Sequence, residues 1–216
     1  AAYLSQAEEA LAADSGARSD GATHPEQYIR AAVLAAWAHS TAEGEARART
    51  LIEGAQPLDQ LDLIAQERIS DLTVWLLQEF LTPPWTERDL IRAHARQMRP
   101  DLADLLDAPP PDRDLDPLRR AIETAHPSVR DYFAYVLLDF ATVDSELEDT
   151  MLAGALMFAR DFGLAEPLRK LANKELKTTM DKLSSLETNA ERILIAAAKA
   201  LEDKKAATEA AHGDAA

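Results

Sequence analysis

Cysteine is absent from the 216 residues. Disulfides, thiolate nucleophiles and Cys-ligated zinc or iron–sulfur centres are thereby excluded, and no redox role follows. Glycine is scarce at 7 and β-branched runs are nearly missing, while Ala and Leu dominate the 47% apolar content. Side chains that lose little rotamer freedom in a helix therefore carry the hydrophobicity, and an all-α fold is expected. Long hydrophobic runs are lacking too. YFAYVLLDFATV at 132–143 is interrupted by Asp139 and falls far short of the roughly 20 residues that cross a bilayer, so no membrane span is expected. Positive charge is in deficit: 23 Lys and Arg against 38 Asp and Glu leave a net charge of −15. Such a chain repels phosphate backbones and anionic headgroups, which argues against nucleic acid as a partner. No basic leader opens the sequence, no P-loop, GxGxxG, HExxH or Ser-His-Asp grouping is present, and no cofactor is expected. The expected location is the cytoplasm.

What the sequence does contain is a series of amphipathic segments separated by strong stop and start signals. A Gly/Ser/Asp-rich stretch at 15–23 ends a first short segment. Thr23 with Pro25 and Glu26 then marks a helix start running to about His39, and Ser40 with Glu43 marks another, over 42–53, closed by Gly54. A third helix follows Pro57, with Leu58, Leu61, Ile64, Ala65 and Ile69 on one face, and runs or restarts into DLTVWLLQEFL. Pro83-Pro84 stops it, and Thr86 is the predicted cap of WTERDLIRAHARQMRPDLADLL. The proline-rich DAPPPDRDLDP (107–117) has no apolar periodicity and reads as a linker between a helical unit at 1–106 and a second at 118–205, with a frayed tail at 206–216.

The punctuation His24-Pro25, Tyr28, Ser40, Glu43, Gly54, Pro57-Leu58 recurs as His126-Pro127, Tyr132, Ser145, Glu148, Gly163, Pro167-Leu168. Two explanations stand: a tandem duplication of a helical-hairpin unit, or caps and prolines that any two helical hairpins share. Toward the C-terminus Leu176, Met180, Leu183, Ala190, Leu194, Ala197 and Leu201 alternate spacings of three and four, broken only by Glu187. That pattern predicts one long helix or two nearly collinear ones, whose seam needs the protein's own bundle or a second chain to cover it. The whole reads as a multi-helix bundle.

The densest cluster of chemistry-bearing groups is the acidic stretch Asp144, Glu146, Glu148 and Asp149. Ser145 as N-cap with Glu148 three residues on makes a capping box, with negative charge at the positive end of a helix dipole. A divalent cation held by Asp144, Glu146 and Glu148 is the alternative, but such a site needs about six oxygens and usually a Gly in the loop. Residues 132–172, with Asp144, Glu146, Glu148, Gly163 and Leu164 at the matching positions, resemble the core hairpin of TerB-like domains, the tellurite-resistance and stress-associated family. Ser145 stands where that family has Gly. The resemblance implies a bacterial-type, all-helical adaptor in a stress response, with metal binding at the acidic turn.

Arg88, Arg92, Arg96 and Arg99 form a basic row beside the apolar stripe Ile91, Ala95, Met98 and Leu102. Guanidinium groups in a row can dock a carboxylate-rich partner, or pair with neighbouring Asp and Glu as a solvated rim. Arg169, Lys170, Lys174, Lys177 and Lys182 make a second, looser stripe. Arg88 followed by Asp89 and by His94 also fits the Arg-polar-His spacing of HEPN-type ribonucleases; Arg120 and His126 are similarly spaced. His24 and His126 read most simply as helix-start residues. Trp37, Trp75, Phe80, Tyr132, Phe133, Tyr135, Phe140, Phe158 and Phe162 are assigned to the core, and Trp85, after two prolines, either to an exposed anchor for a partner or to the staple residue ahead of the Thr86 cap. The expected function is a non-catalytic acidic adaptor or assembly protein, working through a protein partner or self-association at Trp85, the arginine row or the C-terminal seam. A HEPN-like ribonuclease and a TerB-like cation-binding stress protein are the alternatives.

Overall fold

The computed structural model describes residues 27–41, 44, 45, 48, 54–82, 85–107 and 114–213. All of the regular structure among them is helical, as the composition predicts. Ala1–Gln56 and Pro57–Ala216 are separate compact units. In the first, α1 (Gln27–His39) buries Ala32 and Val33 and leaves Leu34 and Trp37 exposed. Gly44 lies so close to the Trp37 ring that a Cβ there would sit 2.5 Å from its Cγ. The capping box expected at Thr23 and most of the helix expected over 42–53 lie outside the described residues.

The second unit opens with a 3-10 turn at Leu58–Gln60, and α2 (Leu63–Phe80) begins only at Asp62, whose Oδ1 accepts from the Ala65 amide at 2.8 Å. The helix predicted to start directly after Pro57 is therefore two elements. Its apolar face is also split: Leu61 and Ile69 pack on the core, but Leu58 and Ile64 point outward. From there α2 runs without a break through DLTVWLLQEFL.

The single helix predicted from Trp85 to Leu106 is three elements. Trp85–Glu87 is a 3-10 turn, α3 spans Asp89–Met98, and α4 spans Leu102–Asp107. Pro100 accounts for the second break, since a proline ring clashes with the preceding turn and disfavours helical geometry at Arg99, which is extended at φ −153, ψ 123. Thr86 is buried in the turn and caps nothing; the residue before α3 is Arg88.

α5 (Asp116–Glu123) begins within the stretch read as a linker over 107–117, with Pro117 in its first turn, and leads to α6 (Pro127–Thr142). His126 marks the helix start as expected: its Nδ1 accepts from the Ser128 amide at 3.2 Å, and Pro127 occupies the first turn where no donor is needed. Leu102, Ala103 and Leu106 share one core with Leu118 and Ile122, so the residues flanking the proline-rich stretch belong to one hydrophobic body.

At its centre lies α7 (Glu148–Asp161), packed by α2, α6, α8 (Ala165–Glu175), α9 (Met180–Thr188) and α10 (Ala190–Gly213). Ala153, Gly154, Ala155 and Ala159 are buried on it. Small side chains let several helices approach one axis closely. Gly163 closes α7 in the left-handed region, φ +66, and the Leu164 amide reaches back to the Ala159 carbonyl at 2.8 Å, a Schellman-type end that glycine makes cheap. Gly54, the corresponding mark in the first half of the sequence, is also left-handed at φ +71.

The predicted C-terminal rod is interrupted twice. Lys177 turns the chain with φ +53, and Asn189 separates α9 from α10. Leu183, Leu186 and Ala190 are buried, while Ile193, Leu194, Ala197 and Leu201 pack on the same core, so the seam is covered by the protein's own bundle. Met180 is exposed. Where fraying was expected past Lys205, α10 continues to Gly213.

Candidate functional site

The acidic turn and the arginine row, two separate candidates in the sequence, meet. Arg88 stands just before α3 with an extended backbone, and its side chain crosses to the corner between α6 and α7. Its Nε and Nη2 both donate to Asp144 Oδ2, at 2.8 and 2.5 Å, and Nη2 also donates to Glu146 Oε2 at 3.0 Å. The carboxylate of Asp144 is 2% exposed and that of Glu146 is 68% exposed, so Asp144 is the buried partner and Glu146 the solvated one. Bonding to Asp144, opposed by burial and reinforced by Glu146, raises the guanidinium pKa above its ordinary value. A polar cavity of about 260 Å³ lies alongside, lined by Glu87, Arg88, Asp89, Leu90 and Asp144. Glu87 is tied to Lys205 of α10 at 3.1 Å.

Ser145 does not cap α7. The cap position is Leu147, and the turn is closed by the Leu147 amide on the Asp144 carbonyl at 2.9 Å. Asp144 supplies what Ser145 was expected to supply: its Oδ1 accepts from the Glu146 amide at 3.1 Å, an Asx-type turn. Glu148 and Asp149 do occupy the first turn of the helix, where its dipole favours them, and Asp149 pairs with Lys182 of α9 at 2.7 Å.

The rest of the row behaves as a rim. Arg99 lies past the end of α3 and grips Asp101 through Nε at 2.7 Å and Nη2 at 3.0 Å, which holds the Asp101 carboxyl below its usual range. Arg96 is exposed and Arg92 half-buried. Ile91, Ala95 and Leu102 are buried as predicted, whereas Met98 is exposed. Trp85 is only 7% exposed: the turn after the two prolines folds it into the core, so it is a core residue and no free anchor. Tyr135 and Trp37, assigned to the core, are exposed. Four of the five members of the second stripe are paired as well, Arg169 with Glu187, Lys170 with Glu166, Lys174 with Glu175 and Lys182 with Asp149.

His94 of α3 contacts Asp139 of α6 through Nε2 at 2.6 Å, and its ring stands edge-on to Phe140 with centroids 4.9 Å apart. The sequence carried one signal for this pair, an Asp inside the apolar run VLLDF, where an unpartnered carboxylate is costly. Of the other Arg-His pair, Arg120 bonds weakly to the Asp116 carbonyl at 3.4 Å and His126 is consumed as the α6 cap.

No family model matches the chain, and no curated protein or solved structure is significantly similar to it. Among the described residues, no group of three or more His, Asp or Glu side chains is arranged to hold a metal ion, and no helix is long and apolar enough to cross a membrane.

Proposed function

We propose that this protein is a non-catalytic helical interaction protein that works by packing against another protein chain. The observation that carries the reading is the outward placement of adjacent large apolar residues at the start of α2: Leu63 is 82% and Ile64 77% exposed. Single exposed apolar side chains are commonplace, but two in succession make a local hydrophobic surface of the kind a partner covers. The groups that would otherwise argue for chemistry are engaged in ion pairs, Arg88 with Asp144 and Glu146 across helices and Arg99 with Asp101 within one turn. The test is a Leu63→Glu/Ile64→Glu double variant, which keeps the far-ultraviolet circular dichroism and melting temperature of the native chain but loses any co-purifying foreign protein. A native chain that has single-chain mass by light scattering and recovers no partner, or a variant that binds as before, overturns the reading.

A second reading has one observation in its favour. The 2.6 Å contact of Asp139 orients the His94 imidazole as an acid–base site would, so ribonuclease chemistry with Arg88 and His94 stays open to experiment. RNA cleavage that survives both Arg88→Ala and His94→Ala disposes of it.

A further inference from the structure

We infer that α10 is an exchangeable arm: straightening the chain at Asn189 carries it off its own α7 and onto α7 of a second copy, giving a reciprocally swapped dimer. The inference deepens the proposed interaction role and rests on it, with a second copy of this chain as the partner.

Three observations converge. The first is the corner itself. Asn189 has φ −102 and ψ 8, about 40–50° from helical values in each angle. Helical hydrogen bonds already stand on either side of it, the Asn189 amide to the Ser185 carbonyl at 3.1 Å and the Ile193 amide to the Asn189 carbonyl at 3.0 Å. At the corner the Asn189 side chain makes two bonds of its own: Nδ2 donates to the Ser185 carbonyl at 2.8 Å and Oδ1 accepts from Arg192 at 3.1 Å. One residue relaxing into the helix would fuse α9 and α10 into a rod of roughly 50 Å at 1.5 Å per residue.

The second observation is the sequence pattern, in which the apolar spacing passes through position 189 in step: Leu183, Ala190, Leu194, Ala197 and Leu201 follow one seam. That seam is written for a straight helix, although the chain is bent.

The third is the arm's seat. α10 packs chiefly on α7, and apart from Ala190 at the corner its packing residues Ile193, Leu194, Ala197 and Leu201 are only half-buried. The seat is fitted to it: Gly154 gives Leu194 room, since a Cβ there would stand 3.3 Å from Leu194 Cδ2. An apolar notch of about 160 Å³, lined by Phe80, Trp85, Met151, Phe158 and Leu194 among others, lies beside the contact. A second copy presents the same stripe to the same seat, so the swapped state reproduces these contacts at the cost of association and of relaxing the Asn189 corner.

The test uses Asn189→Ala, which removes both side-chain bonds of the corner and favours continuous helix. Light scattering over a concentration series is expected to give a two-chain mass with a dissociation constant at least about tenfold below that of the native chain. Because the sequence has no cysteine, the route can be read covalently. Gly154→Cys chains are mixed with Leu194→Cys chains in the Asn189→Ala background and oxidised; a 154–194 disulfide between chains, in excess of either homodimer, is expected. The double variant Gly154→Cys/Leu194→Cys in one native chain, oxidised when dilute, checks that the pair folds and can close. A single-chain mass for both proteins at the highest soluble concentration overturns the inference, while leaving a foreign partner at Leu63 and Ile64 to be judged by its own test. A two-chain mass without the mixed disulfide also overturns it, because self-association would then use another surface.

Discussion

Replacing Arg88 with Met removes the cation that pairs with the buried carboxylate of Asp144 while keeping most of the apolar stem. Hydrogen bonds to a charged group contribute about 1.5–3 kcal/mol each, and breaking a fully buried ion pair costs about 3–5 kcal/mol. Here the Arg88 side chain is 23% exposed, a polar cavity adjoins it, and Asp144 keeps the Glu146 amide as a donor, so water and that amide recover part of the loss. The expected destabilisation is about 2–3 kcal/mol. Asp144→Asn alone is expected to cost less, about 1–2 kcal/mol, because its one amide oxygen still accepts from Arg88 or from the Glu146 amide, though not from both, and Arg88 keeps Glu146 and solvent. Combined with Arg88→Met it is expected to cost little more than Arg88→Met alone, since no buried charge then remains. Urea denaturation followed by circular dichroism gives all four corners of the cycle, and a coupling near 1–2 kcal/mol is expected. The pH dependence follows from the sign of the Arg88 shift. A base whose pKa is raised on folding contributes stability in full below its unfolded value and loses it only as pH rises through the folded one, so the Arg88 contribution should be flat from mildly acidic to mildly alkaline pH. An Arg88→Met cost within about 0.5 kcal/mol, the range of ordinary surface substitutions, with additive corners, would refute the view that this pair fastens α3 to the α6–α7 corner.

Lys177, at φ +53 between α8 and α9, sits where a side chain is strained by about 1–2 kcal/mol, partly offset by the extra unfolded freedom of glycine, so Lys177→Gly should stabilise by about 0.5–1 kcal/mol in thermal melts. Trp85→Ala should cost about 3–5 kcal/mol of stability, because the ring is core; a loss of partner binding at unchanged stability would restore Trp85 as an anchor. Calorimetric titration with Ca²⁺ should give no binding heat at the acidic turn, since Arg88 already neutralises it by pairing with Asp144 Oδ2 and Glu146 Oε2; saturable heat abolished by Asp144→Asn would reverse that assignment.

Fold class was legible because it depends on local preferences that add along the chain: scarce glycine, abundant Ala and Leu, and apolar spacing of three and four. Several element ends were legible for the same reason. Gly163 and His126-Pro127 act within a few residues of themselves, and both do what their types dictate. The failures come where two local signals compete. Thr86 and Ser145 each offered a capping side chain three residues ahead of an acidic one, yet at the α7 start the turn is made by Asp144, which bonds the Glu146 amide with one oxygen and Arg88 with the other. A carboxylate that can serve both the turn and a buried guanidinium is worth more there than a hydroxyl serving the turn alone, and that preference is invisible until α3 is known to lie against the corner.

The same logic explains why the seam was readable and its fold was not. Spacing of three and four states that Leu183, Ala190, Leu194 and Leu201 share a stripe, but a stripe can be covered equally well by α7 of its own chain, after a bend, or by another copy, without one. The hydrogen bonds of the Asn189 side chain and the entropy of bringing two chains together both favour the bent single chain, so removing the first leaves only the second to hold it. Periodicity carries no term for either quantity, and a single substitution at that residue is therefore expected to change the assembly without changing the stripe.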